Sequence, residues 1–114
     1  MPDIDATRLQ HWIDQRRDFA LVDTLPPAAF QKAHLPTAIN IISDDIVARA
    51  PSELPDRTRP VVVYCASVDC KRAPRSAKRL ERLGYQSVYE FVGGKREWRD
   101  AGLPMVGTEH AHGD

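Results

Sequence analysis

Pro60-Val61-Val62-Val63-Tyr64-Cys65-Ala66-Ser67-Val68-Asp69-Cys70-Lys71-Arg72 is the stretch on which the fold turns. It opens with an unbroken apolar run of β-branched and aromatic residues, too short for a helix and lacking the alternation of a half-solvated strand. Such a run describes a strand buried on both faces. After Cys65 the chain turns polar, and from about Lys71 to Leu83 it takes on helical spacing. Ala73, Ala77, Leu80 and Leu83 share one face, Arg75, Lys78, Arg79 and Arg82 point away, and Gly84 suits the C-terminal cap. The segment therefore reads as strand, loop and helix, with a thiol at the strand's end and a helix N-terminus close by.

That placement bears on the chemistry of Cys65. The free N–H groups and the dipole of a helix N-terminus favour negative charge, and Lys71 and Arg72 add cations. An unperturbed thiol, with a pKa of about 8.5, is only a few per cent thiolate at neutral pH. Lowering it to about 6.5 would make it mostly thiolate, for roughly 2.7 kcal/mol of differential stabilisation. Cations in a first turn oppose the dipole, so Lys71 and Arg72 make sense there if an anion lies between them and the helix.

Outward from this segment the elements alternate. Asp5 can cap a helix through Leu9, Trp12 and Ile13, and Phe19-Ala20-Leu21-Val22-Asp23 reads as a strand ending in an acid. Pro26-Pro27 starts a short helix to Lys32, His34-Leu35-Pro36 is a turn, and Ala38 to Ile42 is a second strand. Ser43 or Asp44 caps a brief helix over Ile46 and Val47, and Pro51 to Pro60 is a surface loop. Ser87 to Val92 is another strand, Gly93-Gly94 a tight turn, Lys95 to Ala101 a last helix, and Leu103 to Val106 closes the core. Strands alternating with helices mean an α/β domain with a mainly parallel sheet. In such sheets the reactive site lies beyond the carboxyl ends of the strands, where Cys65 falls.

Composition bounds the rest. At 114 residues, 42% hydrophobic and 28% charged, the chain reads as one soluble globular domain over 1–107, with a polar, frayed tail over 108–114. A formal net charge of +0 gives no support to nucleic-acid binding or a membrane surface. No apolar stretch approaches a membrane span, and Met1-Pro2-Asp3-Ile4-Asp5 lacks the basic start of a signal peptide. Cys65 and Cys70 are too few and too close for a secreted disulfide framework, so the expected location is the cytoplasm, with both thiols reduced by default.

Taken in order, Leu21-Val22-Asp23, His34-Leu35-Pro36-Thr37-Ala38-Ile39-Asn40, Val61 to Cys65, Leu83-Gly84-Tyr85, Val88-Tyr89, Gly93-Gly94, Trp98 and Ala101-Gly102-Leu103-Pro104 carry a resemblance. Over nearly its whole length the chain resembles the single-domain rhodanese-like sulfurtransferases. No single piece is specific, but their shared order and spacing are. The resemblance implies a five-stranded, mainly parallel sheet flanked by helices on both sides, and a cysteine, matching Cys65, that carries sulfur as a persulfide. This sequence departs from the family in two places. Cys70 holds the spacing where the family's loop commonly has an Arg, so that Arg72 takes the Arg's place when the segment is aligned from the helix side. The loop is then longer, a wider anion cradle, and thiosulfate specificity does not follow. Leu25 and Ala29 stand where relatives often carry an Arg and a Glu; both charges being absent together suggests a structural swap.

On this reading Cys65 is the nucleophile. A persulfide needs N–H donors around its charge and no separate general base, and the loop Ala66, Ser67, Val68, Asp69, Cys70, Lys71, Arg72 is the candidate cradle. Lys71 or Arg72 would orient an anionic donor or acceptor. Cys70 is a candidate resolving thiol, able to attack an oxidised or persulfidated Cys65, or else an ordinary loop residue. A zinc site through His110 and His112 lacks a second cysteine pair. His34 and Asp23 read as structural, and Trp98 as packing under the final loop. The expected partners are a small anionic sulfur donor such as thiosulfate or a persulfide and a thiophilic acceptor, with a protein as a further candidate for either, and no metal or organic cofactor. Two other readings stay open. One is a Cys-loop phosphatase or arsenate reductase on the same fold, although Lys71 replaces the two-pronged Arg of its Cys-x5-Arg loop; the other is a non-catalytic binding module.

Overall fold

A computed structural model describes residues 2–108. From the N-terminus, α1 (Ala6–Asp14) leads to β1 (Ala20–Asp23), α2 (Pro27–Lys32), β2 (Ile39–Asn40) and a 3-10 turn (Ser43–Asp45). Then follow α3 (Ile46–Glu53), β3 (Val61–Tyr64), α4 (Arg72–Arg82), β4 (Val88–Phe91) and α5 (Gly94–Asp100). The strands form one sheet in the order β2-β1-β3-β4, and every neighbouring pair is parallel. This is the expected α/β class.

Strand alternation sorts the side chains into two cores. Ala20, Val22, Val61, Val63, Cys65 and Val88 pack on one face against Ile46 and Ala50 of α3 and Ala73, Ala77 and Leu80 of α4. Leu21, Val62, Tyr64 and Phe91 pack on the other against Leu9 and Trp12 of α1 and Trp98 of α5. Helices thus cover both sides, and all four residues of β1 and of β3 are buried. Burying each large apolar side chain in these layers contributes roughly 1.5–3 kcal/mol. β3 lies between β1 and β4, so its C-terminal end, with Cys65, is flanked by a paired strand on each side.

The sheet has four strands among the described residues, one fewer than expected. Beyond β4 a single parallel bridge joins Asp3 to Glu90, with Ile4 donating to the Glu90 carbonyl at 3.0 Å. This segment stops short of a strand because Pro2 has no N–H to donate and Asp5 already caps α1, accepting from the Arg8 amide at 2.9 Å. The loop expected over Pro51 to Pro60 also starts later, since α3 runs through Pro51 to Glu53. Its end is held from outside: the Tyr85 hydroxyl lies 3.0 Å from the Ala50 carbonyl and 2.5 Å from that of Leu54. Of the expected tail, Thr108 donates its amide to Gln31 at 2.9 Å; residues 109–114, with His110 and His112, lie outside the described residues.

Candidate functional site

Register brings the site together at the carboxyl ends of the two central strands. Asp23 of β1 is the partner of Tyr64 of β3, and Thr24 donates through its amide and its hydroxyl to the Tyr64 carbonyl at 3.0 and 2.9 Å. Cys65 follows, 2% exposed. The loop from Ala66 then curls back so that Cys70 comes within a Cα separation of 6.3 Å, and the two sulfurs are joined as a disulfide.

The loop is held by its carbonyls rather than its amides. α5 donates its Lys95 amide to the Cys65 carbonyl at 3.0 Å and its Arg96 amide to the Ala66 carbonyl at 2.9 Å. Only Gly fits at the start of α5: Gly94 has φ +59°, and a Cβ there would collide with the Cys65 carbonyl oxygen. Within the loop, Cys70 donates to the Ser67 carbonyl at 3.1 Å. Among the described residues, the amides of Ala66, Ser67, Val68, Asp69, Lys71 and Arg72 donate to no protein acceptor. Adjacent N–H groups in that state are what an anion-binding nest is made of.

The loop's side chains are placed unequally. Val68 and Asp69 are exposed at the tip, Lys71 is exposed at the start of α4, and Ser67 is half-buried. Ser67 borders two open clefts against α5. One, of about 430 Å³, reaches Val68, Gly93 and Glu97; the other, of about 460 Å³, reaches Lys95 and Arg99. Arg96 and Asp100 border both. The Arg72 guanidinium turns to the 3-10 turn, donating to Ser43 Oγ at 2.9 Å and lying 3.4 Å from Asp44 Oδ1.

Behind the loop lies a buried polar cluster that sequence reasoning only half located. Asp23 is 0% and Lys95 6% exposed. The Tyr64 hydroxyl donates to Asp23 Oδ2 at 2.8 Å and accepts from the Leu35 amide at 3.0 Å. Lys95 Nζ lies 3.8 Å from Asp23 Oδ2 and donates to the Ala29 carbonyl at 3.0 Å. Burial pushes the Asp23 carboxyl up, opposed by the Leu25 amide, the Tyr64 hydroxyl and the Lys95 and His34 charges. Burial, reinforced by the Asp23 charge, pushes the Tyr64 hydroxyl up as well, so it remains a donor.

Nothing in the sequence gives Lys95 or Tyr64 a part in the site beyond its place in a helix or a strand. The one local signal at Lys95 is a cation in the first turn of a helix, the same anomaly that Lys71 and Arg72 present. Leu25 and Ala29 meet this cluster through their backbones alone, Leu25 donating its amide to Asp23 at 2.9 Å and Ala29 offering its carbonyl to Lys95, and neither contact depends on the side chain. His34 bonds the Phe30 carbonyl through Nδ1 at 2.8 Å and stacks on the Phe30 ring. Trp98 is buried and donates to the Pro104 carbonyl at 2.8 Å.

A parallel α/β sheet with a cysteine at the end of an inner strand, followed by a loop whose amides mostly have no protein acceptor, defines a class of cysteine-loop α/β domains. The sequence matches the rhodanese-like domain over residues 5–101, and the chain belongs to the rhodanese-like family. It is 33% identical over 107 residues to a sulfurtransferase of Allochromatium vinosum, covering 94% of this chain and 96% of that one. It is 37% identical over 98 residues to the HTH-type transcriptional regulator Rv0324 of Mycobacterium tuberculosis, covering 85% of this chain but 42% of the regulator. Among solved structures, the BH2092 protein of Bacillus halodurans superposes with a TM-score of 0.90 at 27% identity, covering 99% of this chain and 82% of that one. The family and the Allochromatium sulfurtransferase support sulfur transfer as the general chemistry.

Proposed function

We propose that this chain transfers sulfane sulfur through a persulfide on Cys65. The observation that carries the reading is the set of loop amides with no protein acceptor around a cysteine at the end of the central strand. In the first half-reaction the Cys65 thiolate attacks the outer sulfur of thiosulfate; a new S–S bond forms, the old one breaks, and sulfite leaves with its electron pair. In the second, a thiophilic acceptor attacks the outer persulfide sulfur and returns the Cys65 thiolate. Neither step needs a general base or a metal. Lys71, exposed where the loop meets α4, supplies positive charge for the anionic donor, while the Arg72 guanidinium is held by Ser43 and Asp44.

The disulfide with Cys70 is the resting form that a thiol reductant must open, two electrons and two protons yielding both thiols. Cys70 then serves as the resolving thiol: when a peroxide oxidises the Cys65 thiolate by two electrons to the sulfenic acid, the Cys70 thiolate attacks its sulfur, the S–O bond breaks, the disulfide forms and hydroxide leaves, so over-oxidation is avoided. A reducing cytoplasm suits this cycle.

Intact-protein mass spectrometry tests the proposal. After reduction and removal of the reductant, thiosulfate should add the mass of one sulfur atom and cyanide should remove it. Cys65→Ser should abolish the gain, and Cys70→Ser should keep it. Uptake by the Cys65→Ser protein, or none by the reduced wild type, would overturn the reading.

A further inference from the structure

Lys71, Arg75, Lys78 and Arg82 follow one another at the i, i+4, i+7, i+11 spacing of a single helical face, and all are exposed. They lie opposite the buried face of α4, which carries Ala73, Ala77 and Leu80. Lys71 and Arg82 are thus separated by three helical turns, about 16 Å. The other two cations of this helix are engaged, Arg72 with Ser43 and Asp44 and Arg79 with the Ser43 carbonyl. Among the described residues the four of the stripe form no ion pair.

Toward its N-terminus such an arrangement works against the helix, whereas Arg82 in the last turn suits the dipole. Like charges three and four residues apart repel, and no acid stands in the first turn to offset the cations there. The chain as a whole balances 16 basic against 16 acidic residues, so the stripe is a local concentration rather than an overall excess. It begins at the residue after Cys70, the last position of the cysteine loop.

We propose that this stripe docks an acidic protein segment that brings an accepting thiol to the persulfide. The inference rests on the Cys65 persulfide reading and adds the class of acceptor. A row of cations with about 16 Å between its ends fits several carboxylates in series and far exceeds a small anion. A segment bound along α4 has one end at the loop and so delivers its thiolate to the outer sulfur of Cys65. That sulfur passes across as the acceptor S–S bond forms, the Cys65 S–S bond breaks, and Cys65 leaves as thiolate.

The test uses thiol peptides with glutamate, glutamine or lysine flanking one cysteine, offered to the persulfidated protein. The glutamate peptide should accept sulfur about tenfold faster than the glutamine peptide at low ionic strength. The advantage should collapse toward 1 M salt, where the Debye length is about 3 Å. Arg75→Glu/Lys78→Glu/Arg82→Glu should reverse the order of glutamate and lysine peptides while leaving thiosulfate:cyanide turnover at its wild-type rate. Equal rates for the three peptides on the wild type would overturn the proposal. So would a labelled single-stranded oligonucleotide binding in place of the glutamate peptide, or a concentration-dependent dimer that the triple variant abolishes. Failure of the persulfide reading looks different: no peptide accepts sulfur and thiosulfate turnover is absent, while salt-sensitive binding of the glutamate peptide, followed by fluorescence anisotropy, still reports on the stripe.

Discussion

Two helices bring their first turns to the same cysteine loop, and each carries a cation there. At α4 the cations are Lys71, exposed, and Arg72, turned outward to Ser43 and Asp44. At α5 it is Lys95, buried and set between the Asp23 carboxylate and the Ala29 carbonyl. The local sequence anomaly is the same, a positive charge at the positive end of a helix. Its consequence differs because α4 meets the loop at the surface, whereas α5 enters through Gly94 against the Cys65 carbonyl. A cation in water costs little; one under the sheet's edge must be paired or it destabilises the fold.

The largest expected effect separates those two cations. Lys95→Met should cost about 3–5 kcal/mol, because it removes the cation beside the buried Asp23 carboxylate and leaves it only the Tyr64 hydroxyl and the Leu25 amide, whereas Lys71→Met should stay within about 0.5 kcal/mol. Urea denaturation midpoints at constant slope measure both. Adding Asp23→Asn to Lys95→Met should recover much of the loss, and a double variant no more stable than the single one would break the comparison.

Next comes the glycine that lets α5 approach. Gly94→Ala and Gly102→Ala share a positive φ, +59° and +73°, but nothing lies within 4 Å of a Cβ at Gly102. The first should therefore be the more destabilising by about 1–3 kcal/mol, the cost of forcing a methyl into packed backbone. It should also slow sulfur uptake, since the loop's carbonyl anchors would shift. Equal stability losses in the two variants would mean that α5 does not pin the loop.

The smallest effect is a pH dependence. Asp23 has its folded pKa raised above the ordinary 3.8. A raised carboxyl favours folding while protonated, so its contribution is full below about 3.8 and is lost as pH rises through the folded value. Relative to Asp23→Asn, the wild type should therefore lose stability as pH climbs out of the acid range and then level off. A difference that grows in the opposite direction would show that Lys95 and Tyr64 outweigh the burial.

Much of this molecule could be read in order along the chain. The apolar run Val61 to Tyr64, the helical spacing from Ala73 to Leu80 and the cap at Asp5 are local patterns, and period alone assigns them. Cys65 was legible for the same reason, since position at a strand's end follows from the pattern around it. The missing fifth strand was not, because Asp3 meets Glu90 only through the folded chain.

By itself, then, the sequence determined the alternation of elements, the parallel class of the sheet and the cysteine at its centre, because each depends on neighbours within a few turns. Only the tertiary structure decided that Tyr64 would hand its hydroxyl to Asp23, that Lys95 would be buried beside them, and that Arg72 would turn away to Ser43. Those outcomes depend on register between strands and on which helix end meets which loop. The energy of a charge is set by what surrounds it in space, and no residue's immediate sequence neighbours record that.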